Sequence, residues 1–369
     1  MKKLLAMLLA LVLTLTMVSA IADEEIPDNM TSEDGKYVVA MVTDVGQLKD
    51  KSFNEGTWNG VKGYAAANGL SYKYYQPANG DQATDEDRYD AMKQACDNGA
   101  KVIVGPGFMQ AGAMARAAAD YPDVMFVFID GFPLTDAEGN LLTNVAPVAF
   151  KEEQAGYFAG YAIVAEGFDK LGFTGGGGGT NPACMRYGYG FIQGANDAAA
   201  KLGKTVDMKY TWAYGASFSP SAELQTLVSG WYETGTQIVF SCGGSIFSSV
   251  TAAASANDAF VCGVDVDQSY ESDTVITSAL KGITAATDWA VAKVFDGTWA
   301  EIGGIPVSLG VENDAVGLPV ETWALETYTV AEYEQLFADV LAGNVTISPD
   351  SPEGNPGSDW SNVVVDYVE

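Results

Sequence analysis

Short apolar runs alternate with stretches whose apolar positions recur at helical spacing, and this alternation dominates the chain from residue 37 onward. Tyr37–Thr43 reads as a buried strand, Phe53–Ala67 as a helix and Ser71–Gln76 as a strand. Asp85–Asp97 reads as a helix closed by Asn98-Gly99, Lys101–Val104 as a strand, Met109–Asp120 as a helix and Val124–Asp130 as a fourth strand. This β-α-β-α order predicts a parallel sheet with helices on both faces. The pattern then restarts. Glu152–Gly167 reads as a helix carrying Ala155, Gly156, Ala159, Gly160 and Ala162, small enough for close packing. Leu171–Thr174 is a strand, followed by a glycine run and a helix to Leu202. Strands are expected at Thr205–Trp212, Thr236–Cys242 and Phe260–Val266, with helices between them. Val275–Ser278 and a helix from Ala279 to Phe295 are expected to return to the first half.

Two successive α/β halves imply a bilobed molecule whose cleft is the default ligand site. The expected division is 37–148 plus about 279–310 for one lobe and 149–278 plus about 311–343 for the other. Residues 23–36 read as a flexible acidic leader. The tail, 344–369, is rich in Pro, Gly, Asp and Ser and is expected to be loose or draped on the surface.

One segment joins this pattern to chemistry. Val42-Thr43-Asp44-Val45-Gly46 and Asp50-Lys51-Ser52-Phe53-Asn54 link the first strand to its helix. Ser52 and Glu55 have capping-box spacing, which predicts a helix starting at Phe53. Asp44, Phe53 and Asn54 then sit at the carboxyl end of a parallel strand, the edge where ligands bind in open α/β sheets. An acid, an aromatic face and an amide suit a ring-bearing polar ligand. Phe53 as a hydrophobic staple and Asp44 as a loop cap account for the same residues. Other strand ends add Asp130, Cys242-Gly243-Gly244 and Asp265; Lys281 follows the crossing strand, and Phe218 lies in the loop after Trp212.

Charge and composition narrow the partners. The formal charge is −29, which argues against binding nucleic acid or anionic lipid, both of which need Lys and Arg. The chain has no histidine, which removes Ser-His-Asp and Cys-His catalysis and His-ligated zinc. Cys96, Cys184, Cys242 and Cys262 form no C-x-x-C, so neither a zinc ribbon nor a redox centre is indicated. Cys242 and Cys262 could end neighbouring strands, but free buried thiols are the expectation. No cofactor or metal is expected. Lys2 and Lys3, the apolar run 4–18 and Ala20-Ile21-Ala22 read as a secretory signal peptide over residues 1–22. No cysteine stands at its cleavage point, so a lipid anchor is not expected.

Three motifs suggest other chemistry and fall short. Gly175–Gly179 lacks the third glycine of a dinucleotide fingerprint, because Thr180, Asn181 and Pro182 follow. Gly203-Lys204-Thr205 lacks the leading glycine of a P-loop, and Ser278–Lys281 matches S-x-x-K without its companion motifs.

The segments Met41–Asp44, Asp50–Asn54, Phe128–Asp130, Gly263–Asp265, Ser278–Lys281 and Ala315–Pro319 resemble the basic membrane protein family, substrate-binding components of ABC importers similar to purine nucleoside receptor lipoproteins. The resemblance runs in order over about 37–343. It implies a type I periplasmic-binding-protein fold, with two doubly wound α/β lobes joined by a multi-strand hinge. It also implies a non-enzymatic, monomeric receptor that hands a purine nucleoside to an ABC permease and its ATPase. On the family pattern Phe53 and Phe218 stack on the base, Asp44 and Asn54 contact it, and Asp130, Gly243, Asp265 and Lys281 lie toward the ribose. The missing cysteine, the five-glycine run and the Gly243–Phe247 sequence depart from that pattern. A sugar receptor on the same fold, or a nucleoside hydrolase using Asp265 and Asp267, are the alternatives. Against the hydrolase, alternation along a strand points Asp265 and Asp267 to opposite faces.

Overall fold

In the computed structural model, residues 26–28, 32–45 and 47–369 are described. The signal peptide and leader residues 23–25 and 29–31 lie outside them. The first half builds β1 (Val39–Val42), α1 (Phe53–Ala67), β2 (Tyr72–Tyr75), α2 (Asp85–Asp97), β3 (Val102–Pro106), α3 (Ala111–Asp120), β4 (Met125–Ile129) and β5 (Val145–Phe150). All four residues of β1 and all five of β3 are buried, as expected for strands covered on both faces. The second half builds α4 (Glu152–Glu166), β6 (Lys170–Gly175), α5 (Pro182–Leu202), β7 (Val206–Thr211), α6 (Ala222–Glu233), β8 (Ile238–Cys242), α7 (Phe247–Ala256), β9 (Phe260–Asp265) and β10 (Val275–Lys281). The chain continues through α8 (Ile283–Phe295), β11 (Val307–Leu309), β12 (Val316–Gly317), α9 (Val330–Leu341) and β13 (Val363–Val368).

The strands form two sheets, ordered β11-β5-β4-β3-β1-β2 and β12-β10-β9-β8-β6-β7-β13. Every pairing is parallel except β10 with β12. Among the described residues the chain passes between the lobes after β5, after β10 and after β11. Each sheet has apolar clusters on both faces. This is the doubly wound, two-lobed α/β architecture of the periplasmic-binding-protein fold.

The glycines of α4 and α5 bring two helix backbones together. A Cβ on Gly156 or Gly160 would meet the carbonyl of Tyr187 or Phe191 at 2.1 Å. A Cβ on Gly190 would meet that of Glu153 at 2.1 Å. No side chain larger than hydrogen fits these positions.

Two expectations need correction. The strand assigned to Val275–Ser278 runs on to Lys281, and its helix begins at Ile283, not Ala279. Ala279 and Leu280 pair with Val264 and Asp265 of β9, so 279–281 belong to the second sheet. Of the two expectations for the tail, that it is draped over the molecule holds and that it is loose does not. Val345, Ile347 and Trp360 pack on the second lobe's core, and β13 pairs in parallel with β7 over six residues. Its apolar run Val363-Val364-Val365 overrides the turn-rich composition before it.

Candidate functional site

The carboxyl ends of the strands of both sheets face one cleft. Asp44, Phe53, Asn54, Asp130, Phe218, Gly243, Asp265 and Lys281 all line it. Asp50, Asn181, Cys184 and Tyr187 also reach it.

The loop entering α1 is built differently from the capping-box expectation. The Ser52 hydroxyl does not cap the helix. Asp50 does so instead: its carboxylate accepts from the backbone N–H of Ser52, Asn54 and Glu55 at 3.0, 2.9 and 3.1 Å. Asn54 Nδ2 donates to Asp50 Oδ2 at 3.0 Å and to the Val45 carbonyl at 3.3 Å, while its Oδ1 accepts from Asp44 N at 2.9 Å. Both amide hydrogens of Asn54 are therefore committed to the loop, and the group this loop offers the cleft is the Asp44 carboxylate.

Relieved of capping, Ser52 Oγ donates across the lobes to Asp265 Oδ2 at 2.5 Å, and Tyr187 OH donates to Asp265 Oδ1 at 3.2 Å. Beside them, Lys281 Nζ bridges the lobes, 2.7 Å from Asp130 Oδ2 and 3.1 Å from Glu152 Oε1. Glu152 Oε2 also accepts from Arg186 Nε at 2.6 Å. Burial alone would lower the Lys281 ammonium, but Asp130, Glu152 and Asp265 outweigh it and hold the lysine well above its ordinary value. Burial would raise Glu152, but Lys281 and Arg186 bring it below the usual range. The Lys281 ammonium also lies 4.9 Å from the centroid of the Phe53 ring and 5.0 Å from that of Phe150.

Burial pushes the Asp44 carboxyl up to about 7, against the nearby Arg88, and raises Asp50 to about 6 despite its hydrogen bonds. Burial likewise raises Asp130, with Glu152 adding to it and Lys281 opposing it. Asp44 Oδ1 and Asp130 Oδ1 are buried and have no hydrogen-bond partner in the protein. Two acceptors without donors in a cleft call for a donor-bearing ligand.

The backbone is strained at the same place. Asp130, Phe218 and Asp265 adopt left-handed conformations, with φ of 57°, 58° and 67°. Each costs about 1–3 kcal/mol, and such strain gathers where side chains must be aimed. The five-glycine run serves aromatic seating rather than phosphate binding. A Cβ on Gly175 would meet the Trp212 ring at 2.0 Å, and one on Gly176 would meet the Phe218 ring at 2.2 Å.

Asp267 does not share the cleft with Asp265. Its carboxylate accepts from Ser269 Oγ at 2.7 Å and Thr322 Oγ1 at 2.5 Å, toward the hinge. All four cysteines are free thiols. Cys262 pairs with Phe240, two residues before Cys242, so the sheet register holds them apart. Sequence reasoning missed Asp50, Cys184, Tyr187, Glu152 and Arg186. Asp50 carried a legible signal, an acid four residues ahead of Asn54 at a helix start. Cys184 and Tyr187 are helix positions that only tertiary packing turns toward the cleft, and Glu152, at the start of α4, and Arg186 reach it through the Lys281 ion pair.

Two α/β lobes with ligand-competent groups at the strand ends on both sides define a two-lobed small-molecule-binding fold. Residues 37–341 match the model of the Bmp family, PnrA-like ABC transporter substrate-binding proteins, and the chain belongs to that family. It is similar to the ABC transporter nucleoside-binding protein BmpA of Lactococcus lactis, 27% identical over 84% of this chain and 88% of that one. It is also similar to an uncharacterised lipoprotein of Pyrococcus abyssi, 25% identical over 78% of this chain and 70% of that one. Among solved structures, an ABC transporter solute-binding protein from Conexibacter woesei superposes with a TM-score of 0.65 at 20% identity, covering 86% of this chain and all of that one. Among the described residues no helix is long and apolar enough to cross a membrane.

Proposed function

We propose that the protein is a non-enzymatic, extracytoplasmic receptor that holds a purine nucleoside between its lobes and delivers it to an ABC permease and ATPase. The carrying observation is the composition of the cleft. Phe53 from the first lobe and Phe218 from the second line the same space as two carboxylate oxygens, on Asp44 and Asp130, that lack protein donors. Flat rings suit a base, and unpaired acceptors suit its N–H groups and the sugar hydroxyls. Among the described residues the only ammonium lining the cleft, that of Lys281, is already paired with two carboxylates, which disfavours an anionic nucleotide. The nucleoside-binding relative in Lactococcus supports the same ligand class. On this reading Asp44 contacts the base, while Asp130, Gly243, Asp265 and Lys281 lie toward the ribose. Asn54 acts through the Asp44 loop.

Calorimetry with adenosine, guanosine, adenine, ribose and adenosine monophosphate tests this. Nucleosides are expected to bind, the monophosphate to be rejected, and Phe218→Ala to weaken nucleoside binding by about 1–3 kcal/mol. Tight binding of ribose that survives Phe218→Ala would instead mark a sugar receptor.

A further inference from the structure

The family match ends at residue 341, yet the chain beyond it is built into the second lobe. Its path runs along the outer face of α5. Gln193 Nε2 donates to the Ser348 carbonyl at 3.0 Å, and Gln193 Oε1 accepts from Ser348 N at 2.9 Å. Trp360 meets Tyr189 edge-on at 5.3 Å, and Asn196 Oδ1 accepts from Asn362 N at 3.0 Å. Between these anchors the segment reaches the glycine turn that borders the cleft. Trp212 Nε1 donates to the Gly354 carbonyl at 2.7 Å, and Gly354 N donates to the Gly179 carbonyl at 3.1 Å. Gly354 thus joins the indole of Trp212 to the end of the five-glycine run.

From this contact to the cleft is a short step. Trp212 rests on Gly175, where even a methyl group would lie 2.0 Å from its ring. Phe218 rests in the same way on Gly176. The Gly215 carbonyl accepts from Gly177 N at 3.2 Å and from Phe218 N at 3.0 Å, tying the loop that carries Phe218 to the turn. Phe218 itself holds a left-handed backbone, a conformation unfavourable for a bulky residue unless its surroundings impose it. A run of five glycines gains more freedom than any other sequence when released. Something must hold this one, and Gly354 bonds to its last residue and to the Trp212 ring that rests on its first.

We infer that residues 344–369 form a strap whose Gly354 is a positioning residue for the ligand site: it fixes the Gly175–Gly179 turn and Trp212, and through them the orientation of Phe218. The inference takes the nucleoside reading for its ligand, but the mechanical part does not depend on it.

Hydrogen exchange measured by mass spectrometry and nucleoside binding, both on the full chain, test it. Trp212→Phe keeps an aromatic ring and removes the donor to Gly354. Gly354→Pro removes the donor to Gly179 and cannot adopt the native φ of 68°. In both variants, amides from 175–180 and 213–219 are expected to exchange faster, while those of α1 in the other lobe stay as in the wild type. Guanosine affinity is expected to fall about fivefold, the scale of one lost hydrogen bond, mainly through faster dissociation. Faster exchange in the turn with unchanged affinity would overturn the positioning role, and unchanged exchange in Trp212→Phe would overturn the strap's hold. If Gly354→Pro does not fold, Trp212→Phe decides alone. If the wild type binds no nucleoside, the ligand assignment fails while the exchange data still judge the strap.

Discussion

Ser52 Oγ and Asp265 Oδ2 meet at 2.5 Å across the two lobes, and that bond occupies the hydroxyl that sequence spacing assigns to a helix cap. The cap is Asp50, which holds three backbone amides. The two residues therefore separate two effects that the motif would merge. Asp50→Ala is expected to cost about 2 kcal/mol or more in urea unfolding, because it uncaps α1 and strands buried donors. Ser52→Ala is expected to cost about 1 kcal/mol or less, and to shift the ligand-free molecule toward an open form with a larger radius of gyration in solution scattering. A larger loss of stability for Ser52→Ala than for Asp50→Ala would restore the capping-box reading.

Lys281 has two carboxylate partners and almost no contact with solvent. Lys281→Met leaves Asp130 without a counter-charge, although Glu152 retains Arg186. Unfolding free energy is expected to fall by about 3–5 kcal/mol, the usual result of breaking a buried pair from one side. Adding Asp130→Asn should recover part of that loss. A double variant no more stable than Lys281→Met would mean that Asp130 was not left charged.

Asp44, Asp50 and Glu153 all have carboxyls raised by burial, to about 7, 6 and 7. A raised acid keeps its proton in the folded state at pH values where the unfolded chain has released it. Stability from these groups is therefore greatest below the ordinary carboxylate range and is lost as pH rises through the folded values. The melting temperature of the ligand-free protein is expected to fall between pH 5 and pH 8, and Asp44→Asn should flatten that slope and raise stability at pH 8. A slope that Asp44→Asn leaves intact would show that Asp44 titrates at its ordinary value.

Gly176 has an unstrained backbone, with φ of −73°, so a side chain there acts through its volume alone. Gly176→Ala is expected to push the Phe218 ring aside and weaken nucleoside binding about as much as Phe218→Ala, by about 1–3 kcal/mol. The melting temperature of the ligand-free protein should move little. Affinity equal to that of the wild type would show that the orientation of Phe218 does not matter.

The alternation of apolar runs and helical spacing made most of both sheets legible. Phe53–Ala67 and Asp85–Asp97 emerge with the expected bounds, the first although Asp50 and not Ser52 supplies its cap. The omissions have physical reasons. β5 contains Pro147, and β11 and β12 are two or three residues long, so neither offers a clear period. The helix α9 did carry a signal, Thr329 and Glu332 closing a capping box, in a stretch assigned to the second lobe without elements of its own. β13 was hidden because the tail was read only by its composition. At the site, strand ends were readable because the first and last residues of a run are visible in sequence. The inward turns of Tyr187 and Glu152 were not, because α4 and α5 meet through backbone contacts at glycines that only the folded pair defines.

The strand order also sets a timetable for assembly. The sheet of the first lobe needs β11, at residues 307–309, before its edge is complete. The second lobe needs β12 and then β13, which ends at residue 368 and closes the far edge beside β7. A chain delivered from its amino end, whether by a ribosome or through a membrane pore, therefore holds β7 with an unpaired edge until residues 363–368 have emerged. The second lobe is the last to be finished, and during that interval the β7 edge is the site most open to a chaperone or to misassembly with another chain.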